Sequence, residues 1–184
     1  DYDKYPEALT GYTGQDLQRV GFVRWAPAVR TRVGPRGNYK AGFARMPDGK
    51  LVLALCRDNN ETRPANRGFD VFVYESSDTG LTWREIGETA LYGKEPAMAA
   101  TPDGKLVLIA ESGHYGPGAK LDEHPLARSD DGGKTWHVSI FKGHDYPRSI
   151  VTEPDGTLLM VTAAKPVWNN EGSGSPNLLV HRSR

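Results

Sequence analysis

One pattern returns three times along the chain at a period of about 53 residues, and that beat limits the fold more than any single residue does. Met46-Pro47-Asp48-Gly49-Lys50-Leu51-Val52-Leu53 is matched by Thr101-Pro102-Asp103-Gly104-Lys105-Leu106-Val107-Leu108 and by Glu153-Pro154-Asp155-Gly156-Thr157-Leu158-Leu159. Pro-Asp-Gly between two strand-like runs is a tight turn with a mechanism. Proline presets φ, the aspartate side chain caps the local backbone, and glycine takes the positive φ. Each copy is therefore predicted to be a β-hairpin.

A second motif keeps the same beat. Ser76-Ser77-Asp78-Thr79-Gly80-Leu81-Thr82-Trp83 and Ser129-Asp130-Asp131-Gly132-Gly133-Lys134-Thr135-Trp136 share the pattern Ser-x-Asp-x-Gly-x-Thr-Trp. Ser183 falls one period after Ser129, so a third octet is expected to begin where this sequence stops. Strand-like stretches flank the octets, such as Phe69-Asp70-Val71-Phe72-Val73-Tyr74 before one and His137-Val138-Ser139-Ile140-Phe141 after the other. One period reads as four antiparallel strands, the size of a β-propeller blade. The expected fold is all-β: about three four-stranded blades, half of a six-bladed propeller, with the remaining blades of the same propeller as partners. Residues 1–33 form an N-terminal segment, 34–87 and 88–142 are two blades, and 143–184 is an incomplete third. Only residues 6–19 leave room for a short helix.

Composition removes several function classes. The 23 Lys+Arg and 23 Asp+Glu cancel to a formal net charge of zero, which leaves no surplus field for a polyanion, so nucleic acid is not the expected partner. No apolar run approaches the length that spans a bilayer as a helix. A single cysteine, Cys56, excludes an internal disulfide and reads as a small buried hydrophobe at the end of the run from Leu51. Neither His-x-x-x-His nor paired-cysteine spacing occurs, so no metal and no cofactor is expected.

The octets resemble the Asp boxes, or BNR repeats, of the sialidase-like propellers, and the resemblance runs from about Asn38 to the end of the sequence. It implies a structural role for the boxes. Their Asp and Ser/Thr oxygens tie down a turn, glycine supplies its special dihedral, and tryptophan packs between blades. Asp78, Asp131, Trp83 and Trp136 are accordingly kept out of the active site.

Chemistry then belongs to the other end of the strands. Successive turns of a meander fall on opposite ends, so the long inner loops (57–68, 111–124 and 164–176) and the blade crossings (34–41, 87–96 and 143–148) share one face. Long polar loops over a rigid scaffold are where sites sit. This face holds Lys40, Arg57, Asp58, Lys94, Glu95, Glu111, His124, His144, Tyr146, Arg148 and Trp168. Guanidinium groups grip carboxylates as a bidentate fork and aromatic faces stack on sugar rings, so an anionic glycan of sialic-acid or uronic-acid type is the expected partner. Glu95, just before Pro96, reads as a cap on a crossing.

The resemblance implies a sialidase-type glycoside hydrolase. Lys40, in Asn38-Tyr39-Lys40-Ala41-Gly42-Phe43, stands nearest the place where the family carries the arginine of an Arg-Ile-Pro motif. A lysine there is a point charge and not a fork. Arg57, ending Leu53-Ala54-Leu55-Cys56-Arg57, matches the strand that the family ends in arginine, and Asp58 falls in the region of its general acid. The family's tyrosine nucleophile and its glutamate belong to later blades. In this reading Arg57 and Arg148 hold the substrate carboxylate, Asp58 donates the proton, and Trp168 is a stacking platform.

Two alternatives stand beside it. His124 and His144, with the run His144-Asp145-Tyr146-Pro147-Arg148, offer base, phenol and cation for β-elimination on a uronate, the chemistry of some propeller polysaccharide lyases. A non-catalytic glycan-binding propeller would use the same mouth without turnover. Glycan chemistry points to a secreted or periplasmic protein.

Overall fold

The computed structural model describes residue 33 and residues 38–58, 69–112, 123–142, 145–164 and 178–183; at Asn38, Tyr39, Lys40, Asp58, Ser112, Asp145 and Ala164 it describes the backbone only. These residues contain ten strands and no helix. In chain order the strands are β1 (Asn38–Arg45), β2 (Leu51–Asp58), β3 (Phe69–Ser76), β4 (Arg84–Ala100), β5 (Leu106–Ser112), β6 (Glu123–Ser129), β7 (His137–Lys142), β8 (Asp145–Thr152), β9 (Leu158–Ala164) and β10 (Leu178–Arg182). The helix expected over residues 6–19 lies outside the described residues.

Every sheet neighbour is antiparallel and next in sequence, as short turns between strands require. Strands β1 to β7 form one seven-stranded sheet in order, and β8, β9 and β10 form a second. Within the first sheet one 17-residue strand, β4, carries the chain from one set of strands to the next. Its first part, up to Tyr92, pairs with β3, and its second part, from Gly93, pairs with β5. The changeover is made without a loop, at a cost in backbone geometry. Ala90 and Glu95 adopt φ of 56° and 50°, left-handed values that cost a non-glycine residue roughly 1–2 kcal/mol each. Gly93 sits between them because a Cβ there would lie 2.7 Å from both the Ala110 Cβ and the Glu111 carbonyl oxygen.

The three Pro-Asp-Gly segments are the same turn three times. Gly49, Gly104 and Gly156 have φ of 89°, 83° and 88°, and each donates its N–H to the carbonyl three residues earlier at 2.9 Å. The octets repeat as closely. The Ser76 and Ser129 hydroxyls donate to Asp78 and Asp131 and accept the N–H of Gly80 and Gly133. The two carboxylates in turn accept the backbone N–H and the hydroxyl of Thr82 and Thr135. Trp83 and Trp136 donate their indole N–H to the Gly80 and Gly133 carbonyls, both at 3.0 Å. With so many donors aimed at it, the Asp78 carboxyl is held down at about 2, first by Thr82, and Asp131 lies lower still, first through Thr135.

Register carries the repeat into the last strand. Ser76 opposes Leu51 and Ser129 opposes Leu106, each serine facing the first residue after a turn. Ser183 meets Leu158 in the same way, donating its N–H to the Leu158 carbonyl and accepting the Leu158 N–H on its hydroxyl.

Two apolar clusters hold the sheets together. Val52, Ala54 and Cys56 of β2 and Val71 and Val73 of β3 pack on Leu106, Leu108 and Ala110 of β5. The opposite face of β5, Val107 and Ile109, packs with Ala99 on Ile150 of β8 and Met160 of β9. Strand β5 is thus buried on both faces, which explains why Leu106-Val107-Leu108-Ile109-Ala110 is continuously apolar. Each such large side chain contributes about 1.5–3 kcal/mol on burial. Burial pushes the Cys56 thiol up, in keeping with an inert packed residue.

Candidate functional site

Antiparallel register puts the turns and octets at one end of the strands. The opposite end is marked by the pairs Asp58 with Phe69, Gly93 with Ser112, Glu123 with Lys142, and Asp145 with Ala164. Residues that looked unrelated along the chain meet here. Strands β1, β4 and β8, each the first of its meander, wall a cavity of about 490 Å³. Gly42 and Phe43 come from β1, Glu95 and Met98 from β4, and Arg148 and Ile150 from β8. Gly42 permits the approach of β1 to β4, since a Cβ there would lie 3.1 Å from the Met98 Cβ.

Among the described residues, Glu95 and Arg148 are the charged groups lining this cavity. Arg148 Nη1 lies 3.4 Å from Glu95 Oε2, and its guanidinium carbon lies 5.4 Å from the centre of the Tyr146 ring. The Glu95 contact engages one of the five N–H donors that a guanidinium carries. Beyond Tyr146, at 6.1 Å between ring centres, is His124, which also sits 6.5 Å from the Phe141 ring. A further ion pair, Lys94 with Glu111 at 3.1 Å, spans β4 and β5 next to Glu95.

The sequence-predicted residues therefore divide. Tyr146, Arg148 and His124 are brought into one row across adjacent sheets. His124, however, is 0% exposed, so it buttresses Tyr146 and offers no surface to a ligand. Arg57 lies elsewhere. Its guanidinium is stacked 3.1 Å above the Phe72 ring and paired with Glu85 at 3.5 Å, and none of these three lines the cavity. Tyr74 completes that cluster, buried so that its hydroxyl is pushed up to about 12, with Glu85 adding to the shift. Lys40 and Asp58 are placed by backbone in β1 and at the end of β2. His144 and Trp168 lie outside the described residues. Glu95, read from sequence as a cap on a crossing, proves to be a cavity residue; its left-handed backbone carries no sequence signature.

No family profile matches the chain, and no curated protein sequence does. Solved structures do resemble it. A protein of unknown function from Dyadobacter fermentans matches with a TM-score of 0.53 at 22% identity, over 68% of this chain and 34% of that one. A xylan β-1,4-xylosidase from Bacillus halodurans matches with a TM-score of 0.54 at 16% identity, over 83% and 31%. An α-L-arabinofuranosidase from Fusarium graminearum, in complex with an iminosugar inhibitor, gives 0.53 at 17%, over 78% and 44%. The chain thus spans 31–44% of the length of these proteins. At such identities the likeness is one of fold: the chain shares an all-β architecture with these solved structures.

Proposed function

We propose that the chain forms part of a glycoside-hydrolase propeller whose glycan-binding mouth is the cavity between β1, β4 and β8. In this reading the two four-stranded meanders that share β4 are blades, β8 to β10 belong to a third, and the octets are Asp boxes. The observation that supports it most is the cavity itself, where a half-exposed guanidinium and a carboxylate from two sheets meet above an apolar wall. A wall of that kind, with a few convergent polar groups, is how small-ligand sites are built. The solved enzymes of similar fold that act on arabinose- and xylose-containing substrates lend the glycosidase class its support.

The substrate proposed is an anionic glycan. Arg148 retains donors beyond the one directed at Glu95, and a guanidinium fork is the group that grips a sugar carboxylate. Tyr146 would present its ring beside that sugar. Asp58 as proton donor, Lys40 as a further positive contact and Trp168 as a stacking platform complete the proposal from sequence. The decisive experiment is turnover of sialosides and uronosides by the protein and by Arg148→Ala. Loss of turnover with an unchanged melting temperature supports the assignment, and retention of turnover sinks it.

The arrangement of Tyr146 between His124 and Arg148 also favours a second reading, elimination on a uronate with tyrosine as the proton-transfer group and Arg148 neutralising the carboxylate. That mechanism releases an unsaturated product visible in the ultraviolet. Its absence, with a hydrolysed sugar acid in its place, excludes the reading. Binding without any product identifies a lectin-like propeller.

A further inference from the structure

We propose that Glu95 is a specificity-determining residue of this cavity, accepting a hydrogen bond from the sugar hydroxyl next to the group that Arg148 holds. The inference rests on the reading of the cavity as a glycan site. Backbone geometry is the first support. Glu95 has φ of 50° and precedes proline, a combination disfavoured twice, once by its own Cβ and once by the following ring. Glycine would remove much of that cost, yet the position carries a long charged side chain. Strain of this kind persists where the surrounding structure holds a group in a required place.

The Glu95–Arg148 pair is long at 3.4 Å and remains solvent-accessible, with side-chain exposures of 23% and 37%. Pairs of that kind contribute little to folding. What the strain does achieve is to place a pure acceptor beside a pure donor, one from β4 and the other from β8, over a wall of Gly42, Phe43, Met98 and Ile150. A uronic acid offers a matching pair, a carboxylate for Arg148 and a hydroxyl on the adjacent ring carbon for Glu95. The ligand class that follows is a uronic acid with that hydroxyl unsubstituted; acetylating it removes the donor and crowds the carboxylate.

The test measures binding of galacturonic acid, N-acetylneuraminic acid and galactose by calorimetry to the protein and to Glu95→Gln, Glu95→Gly and Arg148→Ala, with melting temperatures alongside. Glu95→Gly is expected to melt higher than the parent while binding its best sugar at least about tenfold more weakly, the loss typical of a charged hydrogen bond. Glu95→Gln should lose affinity to a similar degree without the gain in melting temperature. The proposal is overturned if both Glu95 variants bind as the parent does, if Glu95→Gly loses melting temperature together with affinity, or if the parent binds none of the three sugars. An equal loss for galactose and the acids, with Arg148→Ala leaving their ranking unchanged, retires the anionic-substrate reading and leaves the role of Glu95 standing.

Discussion

At one end of the strands, Asp131 collects the hydroxyls of Ser129 and Thr135 and the N–H of Thr135, all within five residues of itself, and Asp78 does the same with an identical set. At the other end, Glu95 reaches Arg148 across 53 positions of sequence, and its backbone is strained where it does so. The turn end is satisfied locally, by residues whose spacing dictates their contacts. The mouth end is satisfied only when separate sheets come together. Hence the first repeats almost atom for atom, whereas the second pairs groups from separate strands around a cavity.

That contrast is most strongly stressed from the core that joins the two ends. Leu108 is fully buried, and Leu108→Ala is expected to cost about 2–5 kcal/mol in denaturant unfolding, with sugar binding per folded molecule unchanged. A concurrent loss of binding would mean that the mouth is as sensitive to packing as the core. Gly93→Ala comes next. Its Cβ has no room beside Ala110 and Glu111, so about 1–3 kcal/mol of stability should be lost, and because Lys94 and Glu95 follow directly, affinity should drop as well.

Acid should separate the ends further. The Asp78 and Asp131 carboxyls ionise at lower pH in the folded chain than in the unfolded one, so their contribution is complete above the ordinary value of 3.8 and is lost as pH falls, through about 2 for Asp78 and lower for Asp131. Replacing both residues with asparagine should lessen the fall in melting temperature between pH 4 and pH 2, the remaining slope coming from Asp48, Asp103 and Asp155, whose carboxyls are also held low. A parent-like slope in the double variant would remove the octets as the source of acid sensitivity. The smallest change in stability is expected for Arg148→Ala, within about 1 kcal/mol because the pair it breaks is solvent-accessible, although it should abolish binding of sugar acids. A large stability loss would turn the mouth into a structural feature like the octets.

Much of the scaffold was legible because it is local. Pro-Asp-Gly specifies its turn through three side-chain preferences, and the octet specifies its own through the reach of one carboxylate. Leu51–Cys56 and Leu106–Ala110 are both unbroken apolar runs in the sequence, and only the structure shows that Leu51, Leu53 and Leu55 stay half-buried while Leu106 to Ala110 are buried on both faces. The division of polar residues between two ends followed from counting antiparallel turns. By contrast, the partners of the individual charges were hidden. Arg57 and Arg148 looked equivalent as strand-end arginines, yet one stacks on Phe72 and the other lines the cavity, because each reaches for whatever its neighbouring strand presents. His124 looked available for proton transfer, and packing against Phe141 and Tyr146 buried it. The passage of β4 from one partner to the next was hidden as well, since Ala90 and Glu95 are residues that do not ordinarily announce a left-handed backbone.

The order of residues alone determined the all-β repeat, its turns, its register and the end at which chemistry is proposed, because short-range sterics and hydrogen bonds within a few residues suffice for each. Only the tertiary structure decided which acid faces which base and where an open cavity remains. Those outcomes depend on how far apart whole sheets settle, a distance fixed by close packing in the two cores and by the approach that Gly42 and Gly93 allow.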